Sequence, residues 1–330
     1  MQVNNNLFEL IGRTPMVRLR TGVPEPGPKV FVKLEFLNPT GSVKDRMVSH
    51  VVQKALREGR LKPGDTIIDN SSGNTGVSMG MVASIAGLKA IVVTPEKTSQ
   101  EKVDLIRSYG AEVIVTPTEA AHDDPAGCYM LARRLARENG YFDLDQYDSQ
   151  DNVEAHYLST GPEIWNDTNG QITHFVCGIG TGGTFSGAAR YLKEKNPKIR
   201  AIAVDPEGSI FAEYIRSRKL VESSVYKVEG IGSDVITKAL HPNLVDEVIT
   251  VSDKDSFDRV RLIARNEGIS AGGSSGTVAV AIERVAATLG PEALIVGLFA
   301  DAGIRYLSKF FNDRWMRQHG FLETLEEIPS

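Results

Sequence analysis

The 330-residue chain is 41% hydrophobic and 24% charged, with a formal charge of −5, which gives apolar surface for two cored domains and no basic stripe for nucleic acid or anionic lipid. Its two cysteines, Cys128 and Cys177, sit on apolar segments outside any C-x-x-C or zinc-ligand spacing, so packing roles and no metal site are expected. The opening residues lack the basic and apolar stretches of a signal peptide and no apolar run reaches bilayer length, so a cytoplasmic protein that does not touch a membrane is expected.

Strand-like runs alternate with amphipathic stretches, the pattern of an α/β protein with largely parallel sheets. In chain order, a strand at Val30–Leu34 precedes a helix at Arg46–Arg57, which puts Val48, Val51, Val52 and Ala55 on one face and stops at Gly59. A strand at Thr66–Asp69 leads to a helical run at Val77–Ile85, then to a strand at Ala90–Thr94. Thr98-Ser-Gln-Glu101 reads as a capping box, a strand follows at Glu112–Val115, and Asp124 with Pro125 reads as the start of another helix. Strands are further expected at His174–Cys177, Ala201–Asp205 and Leu294–Phe299, with a helical stretch from Thr184 through Lys195. The segments near Asp123 and Asp148 read as loops. Lys309–Phe321, with Phe310, Trp315 and Met316, reads as an amphipathic helix that packs on its own core or on a second subunit.

Three turns carry polar groups suited to chemistry. Gly178-Ile-Gly-Thr-Gly-Gly183 fits G-x-G-x-x-G between a strand and a helix, and Asp205 closes the next strand, so one reading is a dinucleotide site. Physically, the turn offers backbone N–H groups at a helix N-terminus and the hydroxyls of Thr181 and Thr184, which suit any phosphate. Without a following P-loop lysine, ATP and GTP are not expected. Asn70-Ser-Ser-Gly-Asn-Thr-Gly76 forms a neutral nest suited to a carboxylate. In Asn38-Pro-Thr-Gly-Ser-Val-Lys-Asp-Arg46, Lys44 stands between a strand end and a helix, where partial desolvation beside a phosphate turn lowers an amine toward Schiff-base chemistry.

Gly-Ser-Val-Lys-Asp-Arg (41–46), Ser-Ser-Gly-Asn-Thr-Gly (71–76), Gly-Thr-Gly-Gly-Thr (180–184) and Gly-Gly-Ser-Ser-Gly (272–276) occur in the order and approximate spacing of the type II pyridoxal-phosphate β-replacement family, that of cysteine synthase and cystathionine β-synthase. The chain resembles this family from Leu10-Ile-Gly-Arg-Thr-Pro15 to its end. Leu144-Asp-Gln-Tyr147, Val204–Ile210, Val228–Gly232 and Lys309–Met316 look closer to the catalytic core of cystathionine β-synthase than to bacterial cysteine synthase. The resemblance implies a two-domain, tryptophan synthase β-like α/β fold with a smaller mobile domain at 40–148 and a larger domain formed by 1–39 and 149–330. It implies pyridoxal 5'-phosphate bound as a Schiff base on Lys44, which also moves the substrate α-proton. Asn74 would bond the cofactor's 3'-oxygen. Gly180, Thr181, Gly182, Gly183 and Thr184 would hold the phosphate, and Ser274 would face the ring nitrogen. Ser71, Ser72, Thr75 and Gln146 would hold the substrate carboxylate, with Gly230 and Ser233 at the cleft mouth. The implied reaction replaces the β-substituent of serine or O-acetylserine by a thiol through an aminoacrylate, in a homodimer acting on small molecules.

Three departures bear on substrate choice. Ala300-Asp301-Ala302 stands where the family commonly has Pro-Asp-Ser or Pro-Ser-Ser, Ser71 replaces the usual threonine, and Ser233 replaces the tyrosine of cystathionine β-synthases. A serine at 233 implies a wider, wetter mouth and use of O-acetylserine at least as well as serine. The motifs begin within fifteen residues of Met1 and the chain stops soon after Trp315, so neither a haem-binding extension nor a regulatory tandem domain is expected. The first reading is cystathionine from homocysteine, with cysteine from sulfide and an amine or other nucleophile as the alternatives. From other classes, a nicotinamide-dependent dehydrogenase resting on Gly178–Gly183 and Asp205 and a non-catalytic interaction protein stay open.

Overall fold

A computed structural model describes residues 3–71, 73–96, 98–117 and 124–323. Its strands are β1 (Met16–Arg18), β2 (Lys29–Leu34), β3 (Thr66–Asn70), β4 (Lys89–Pro95), β5 (Glu112–Thr116), β6 (Phe142–Asp143), β7 (His174–Gly178), β8 (Arg200–Pro206), β9 (Glu247–Val251) and β10 (Leu294–Phe299). They form two sheets, one ordered β1-β2-β10-β7-β8-β9 and one ordered β5-β4-β3-β6. Among the described strands only the β1–β2 pair is antiparallel, through Val17 opposite Val32. Every other pair is parallel, as the continuous apolar runs demand when both faces are covered.

The helices are α1 (Lys44–Arg57), α2 (Asn74–Ala86), α3 (Gln100–Ser108), α4 (Cys128–Asn139), α5 (Gln150–Leu158), α6 (Thr160–Asp167), α7 (Gly183–Lys195), α8 (Phe211–Ser217), α9 (Asp253–Glu267), α10 (Gly273–Ala286) and α11 (Asp313–Gln318). Strand alternation divides the larger sheet's contacts: Val176 packs with Val32, Ile202 and α10, while Phe175 and Cys177 pack with Phe185 and Ala188 of α7. A fully buried phenylalanine such as Phe175 contributes about 2–3 kcal/mol of apolar burial. In the smaller sheet, Ile67 and Val92 face α1 and α2, and Ile68 and Val93 face α4.

All the expected strands form, and three local expectations are corrected. Helix α1 begins at Lys44, not Arg46, so the lysine belongs to its first turn. Ser99, not Thr98, stands at the N-cap position of α3 and makes no side-chain cap bond, and the Thr98 hydroxyl pairs instead with Thr94 at 2.6 Å. Helix α4 begins at Cys128, because the Asp124 carboxylate accepts the Ala126 N–H at 2.8 Å and closes a turn. The 309–321 segment is helical only at α11, and it packs on its own core. Phe310 stacks on Phe257 at 5.0 Å and Trp315 meets that ring edge-on at 5.6 Å.

Helix α1 is anchored from behind by buried charge. Arg46 reaches Glu35 at 2.6 Å and Glu163 at 2.7 Å, and Lys33, fully buried on β2, reaches Glu163 at 2.8 Å. Burial opposes the Glu163 charge, but Arg46 and Lys33 outweigh it and hold the carboxyl at about 2. Paired in this way, the ions fix the direction in which α1 presents Lys44.

Candidate active site

The glycine turn after β7 leaves no room for side chains. A Cβ on Gly180 would stand 2.4 Å from the Gly230 carbonyl oxygen, and one on Gly183 would stand 2.1 Å from Asn152 Oδ1. Gly182 is left-handed, with φ +91, and its Cβ would meet the Leu240 backbone at 2.5 Å. Backbone N–H groups are therefore presented at the start of α7, the positive end of a 13-residue helix.

Two buried groups brace this turn. Asn152 Nδ2 donates to Thr181 Oγ1 at 3.0 Å, while Thr237 donates to the Thr181 carbonyl at 2.7 Å. His156 sits between Thr160, at 2.8 Å from Nδ1, and Thr184, at 3.1 Å from Nε2. Burial, aided by the Arg46 charge, pushes this imidazole down to about 3, so it is neutral at working pH.

Opposite the turn, α1 carries Lys44 into a slot also lined by Asn74, Gly180, Thr184 and Ser274. Burial pushes the Lys44 amine down to about 8 against the nearby Asp69 charge, and the α1 N-terminus disfavours its positive form in the same sense. Ser274 is buried on the first turn of α10.

The second glycine-rich turn follows β3. Ser71 Oγ accepts N–H groups from Gly73 at 3.2 Å and Gly76 at 3.1 Å, which leaves its own hydrogen free to donate. Thr75 donates to Gln146 Oε1 at 2.8 Å, and Gln146 Nε2 donates to the Asn70 carbonyl at 2.7 Å. Ser71, Gly73, Thr75 and Gln146, with Lys44 and Gly230, line a cleft of about 560 Å³ that adjoins the slot. Ser72 lies outside the described residues.

Ser233 does not face this cleft. Its hydroxyl donates to the Val235 carbonyl at 2.7 Å and accepts the Val235 N–H at 3.1 Å, closing its own turn. Tyr226 lines the cleft instead, and its hydroxyl lies 2.6 Å from where a Cβ on Gly232 would be. Sequence reasoning also missed Asp301 as a partner of Asn74: the Asn74 amide donates to it at 2.8 Å, and the Tyr306 hydroxyl donates to the same oxygen at 2.7 Å. Its one signal was the altered Ala-Asp-Ala segment.

The dinucleotide reading of Gly178–Gly183 does not hold. Asp205 is buried and accepts the Ala212 N–H at 2.8 Å near the start of α8, so it is not placed to read a ribose. The slot beyond the turn instead ends at an amine.

Comparison with known proteins agrees. The family described as pyridoxal-phosphate dependent enzyme matches residues 7–301. Cystathionine beta-synthase of Apis mellifera is 42% identical over 322 residues, covering 96% of this chain and 63% of that protein. The Mus musculus cystathionine beta-synthase is also 42% identical, covering 96% of this chain and 57% of that protein. The chain thus spans about three fifths of the length of these relatives. Among solved structures, O-ureido-L-serine synthase superposes with a TM-score of 0.87 at 32% identity, covering 96% of this chain and 100% of that one. O-acetylserine sulfhydrylase isoform 3 of Entamoeba histolytica gives 0.86 at 30% identity, covering 99% and 93%. The chain belongs to the pyridoxal-phosphate dependent enzymes and has their type II fold.

The residues present fit that cofactor. A turn stripped of side chains suits its phosphate, a lysine of lowered pKa suits its aldehyde, and the buried Asn74 Oδ1, without a partner among the described residues, marks a polar position in the slot wall. No helix among the described residues is long and apolar enough to cross a membrane.

Proposed function

We propose that the chain replaces the β-substituent of serine or an activated serine such as O-acetylserine by a thiol, giving cystathionine when homocysteine is the acceptor. The observation that carries this reading is the place of Lys44, which lines both the phosphate slot and the cleft of the carboxylate loop. The names of the sequence relatives support the acceptor. When bound, pyridoxal phosphate supplies an electron sink for the charge left by loss of the α-proton.

The chain's own residues do the rest. Gly180, Thr181, Gly182, Gly183 and Thr184 hold the phosphate, and neutral His156 keeps Thr184 oriented without adding a competing charge. Asn74 holds the ring oxygen. Ser274 offers the ring nitrogen a neutral hydroxyl, which tempers the sink and favours elimination over transamination. Ser71 and Thr75 donate to the substrate carboxylate, with Gln146 released from Asn70 to join them, and Lys44 moves the α-proton. The unit at 40–148, which bears the carboxylate loop, closes over the substrate toward the remainder of the chain and excludes water. A homodimer acting on small molecules in the cytoplasm belongs to the same reading.

A second reading, cysteine from O-acetylserine and sulfide, draws support from the likeness to O-acetylserine sulfhydrylase over nearly the whole chain. The test is product identification by mass spectrometry with serine or O-acetylserine, each against homocysteine and sulfide. Cystathionine is expected. Cysteine alone would replace the first reading with the second, and no β-replacement product from any pair would overturn both.

A further inference from the structure

Three charged side chains meet at the cleft, away from the slot. Lys102 on α3 and Lys309, in the turn before α11, both bond the carboxylate of Glu229, which directly precedes Gly230. All three line the cleft that also holds Lys44, Ser71 and Thr75. We infer that Lys102, Lys309 and Glu229 form a subsite for the amino-acid head group of the thiol acceptor, its carboxylate between the two lysines and its ammonium on Glu229. This rests on the proposed function and names what that cleft reads in its second substrate.

The inference comes from charge and desolvation. The Lys102 side chain is only 8% exposed, while Glu229 and Lys309 are partly exposed, so the Lys102 ammonium above all needs a counter-ion where it stands. Within the triad one carboxylate serves two ammoniums, so it holds two cationic groups to one anionic. Although burial opposes it, the Glu229 carboxyl lies below its ordinary range because both lysines outweigh the cost. A zwitterion resolves the imbalance: its carboxylate supplies the second acceptor, and its ammonium occupies the Glu229 oxygen that is released.

Position fits as well. Lys102 Nζ lies 3.6 Å from where a Cβ on Gly73 would be and 5.2 Å from the centre of the Tyr306 ring. The subsite therefore touches the loop proposed to hold the first substrate's carboxylate, as an acceptor delivering sulfur to the adjacent β-carbon requires. Sulfide carries neither charge of the head group and makes no use of the triad.

Acceptor kinetics on the holoenzyme test this, with O-acetylserine saturating and homocysteine, 2-mercaptoethanol or sulfide varied, for wild type, Lys309→Met, Glu229→Gln and Lys309→Arg. The KM for homocysteine should rise roughly tenfold or more in Lys309→Met and Glu229→Gln, as expected for loss of a charge-assisted bond. The KM for 2-mercaptoethanol and sulfide should move less than about twofold, and Lys309→Arg should retain the wild-type preference. Unchanged visible absorbance would report intact variants. Parallel rises for all three acceptors would overturn the subsite and leave the triad a clasp across the cleft, with the proposed function standing. A wild type that turns over sulfide but not homocysteine would overturn the acceptor reading itself, and the subsite with it.

Discussion

Asn74 and Asp301 are joined by a 2.8 Å hydrogen bond although 227 residues separate them in the chain. Asp301 is buried where two isolated bridges converge, its own to Ser42 and that of its neighbour Ala302 to Ala271. The bond thus ties the carboxylate loop to the strand-end segment beside Lys44 and Ser274. Asp301→Ala should leave the Asn74 amide and the Tyr306 hydroxyl buried and unpaired, at about 1–3 kcal/mol each. A fall of several degrees in Tm is expected, with an altered visible spectrum of the bound cofactor as Asn74 turns. Asp301→Asn, which keeps one acceptor oxygen, should lose less. Identical melts and spectra for wild type and Asp301→Ala would show that the bond orients nothing.

The Lys44 amine, pushed down to about 8 chiefly by burial, sets how the cofactor-free protein captures an aldehyde. Only the neutral amine reacts, and below its pKa that fraction grows about tenfold per pH unit. Cofactor uptake, followed by absorbance and by borohydride trapping on the Lys44 peptide, should therefore rise from pH 6 to about 8 and then level off. A rate still climbing above pH 9 would mean an ordinary exposed lysine. Lys44→Ala should abolish turnover and leave no reducible adduct.

Much of the fold was legible because parallel strands buried on both faces read as unbroken apolar runs, as in Ile-Val-Val within β4 and Leu-Ile-Val in β10. Strands β1, β6 and β9 were missed. They are short or lie at sheet edges, and their residues become strand only through a partner. The glycine turns were legible for a steric reason: a backbone passing 2.4 Å from the site of a side chain admits only glycine. The supporting residues were not legible. His156 touches Thr184 and Asp301 touches Asn74 only after the sheets assemble; His156 sits in no motif, and the segment that holds Asp301 does not announce its partner. Lys102, Glu229 and Lys309 lie far apart in the sequence, and only the fold brings them to one cleft.

Neutral His156 predicts an acid dependence of stability. Its folded pKa, about 3, lies below the ordinary 6.5, so between those values the unfolded chain binds the proton that the folded chain refuses. The contribution is complete above pH 6.5 and is lost as pH falls, by up to about 1.4 kcal/mol per unit. His156→Gln keeps an amide for Thr184 but cannot take up that proton. Urea unfolding at pH 7, 6 and 5 should show the variant less stable at pH 7, with the gap to wild type narrowing toward pH 5. Parallel slopes would rule out His156 as the source.

Leaving-group choice should follow Tyr226, not Ser233. The Ser233 hydroxyl is committed to Val235 inside its turn, and changing it should cost about 1 kcal/mol of loop stability without reaching the substrate. Tyr226 lines the cleft with its hydroxyl beside Gly232, and burial pushes the phenol above its ordinary pKa, so it stays a donor throughout the working range. Hydroxide is a poorer leaving group than acetate and depends more on such a donor as the carbon–oxygen bond breaks. Tyr226→Phe should therefore lower kcat/KM for serine relative to O-acetylserine by roughly three- to tenfold, the worth of one neutral hydrogen bond. Ser233→Ala should leave that ratio within about twofold of wild type. The comparison is the ratio of the two kcat/KM values in each protein with a single acceptor. If the ratio holds in Tyr226→Phe and shifts in Ser233→Ala, the phenol is a wall of the cleft and the serine loop governs departure.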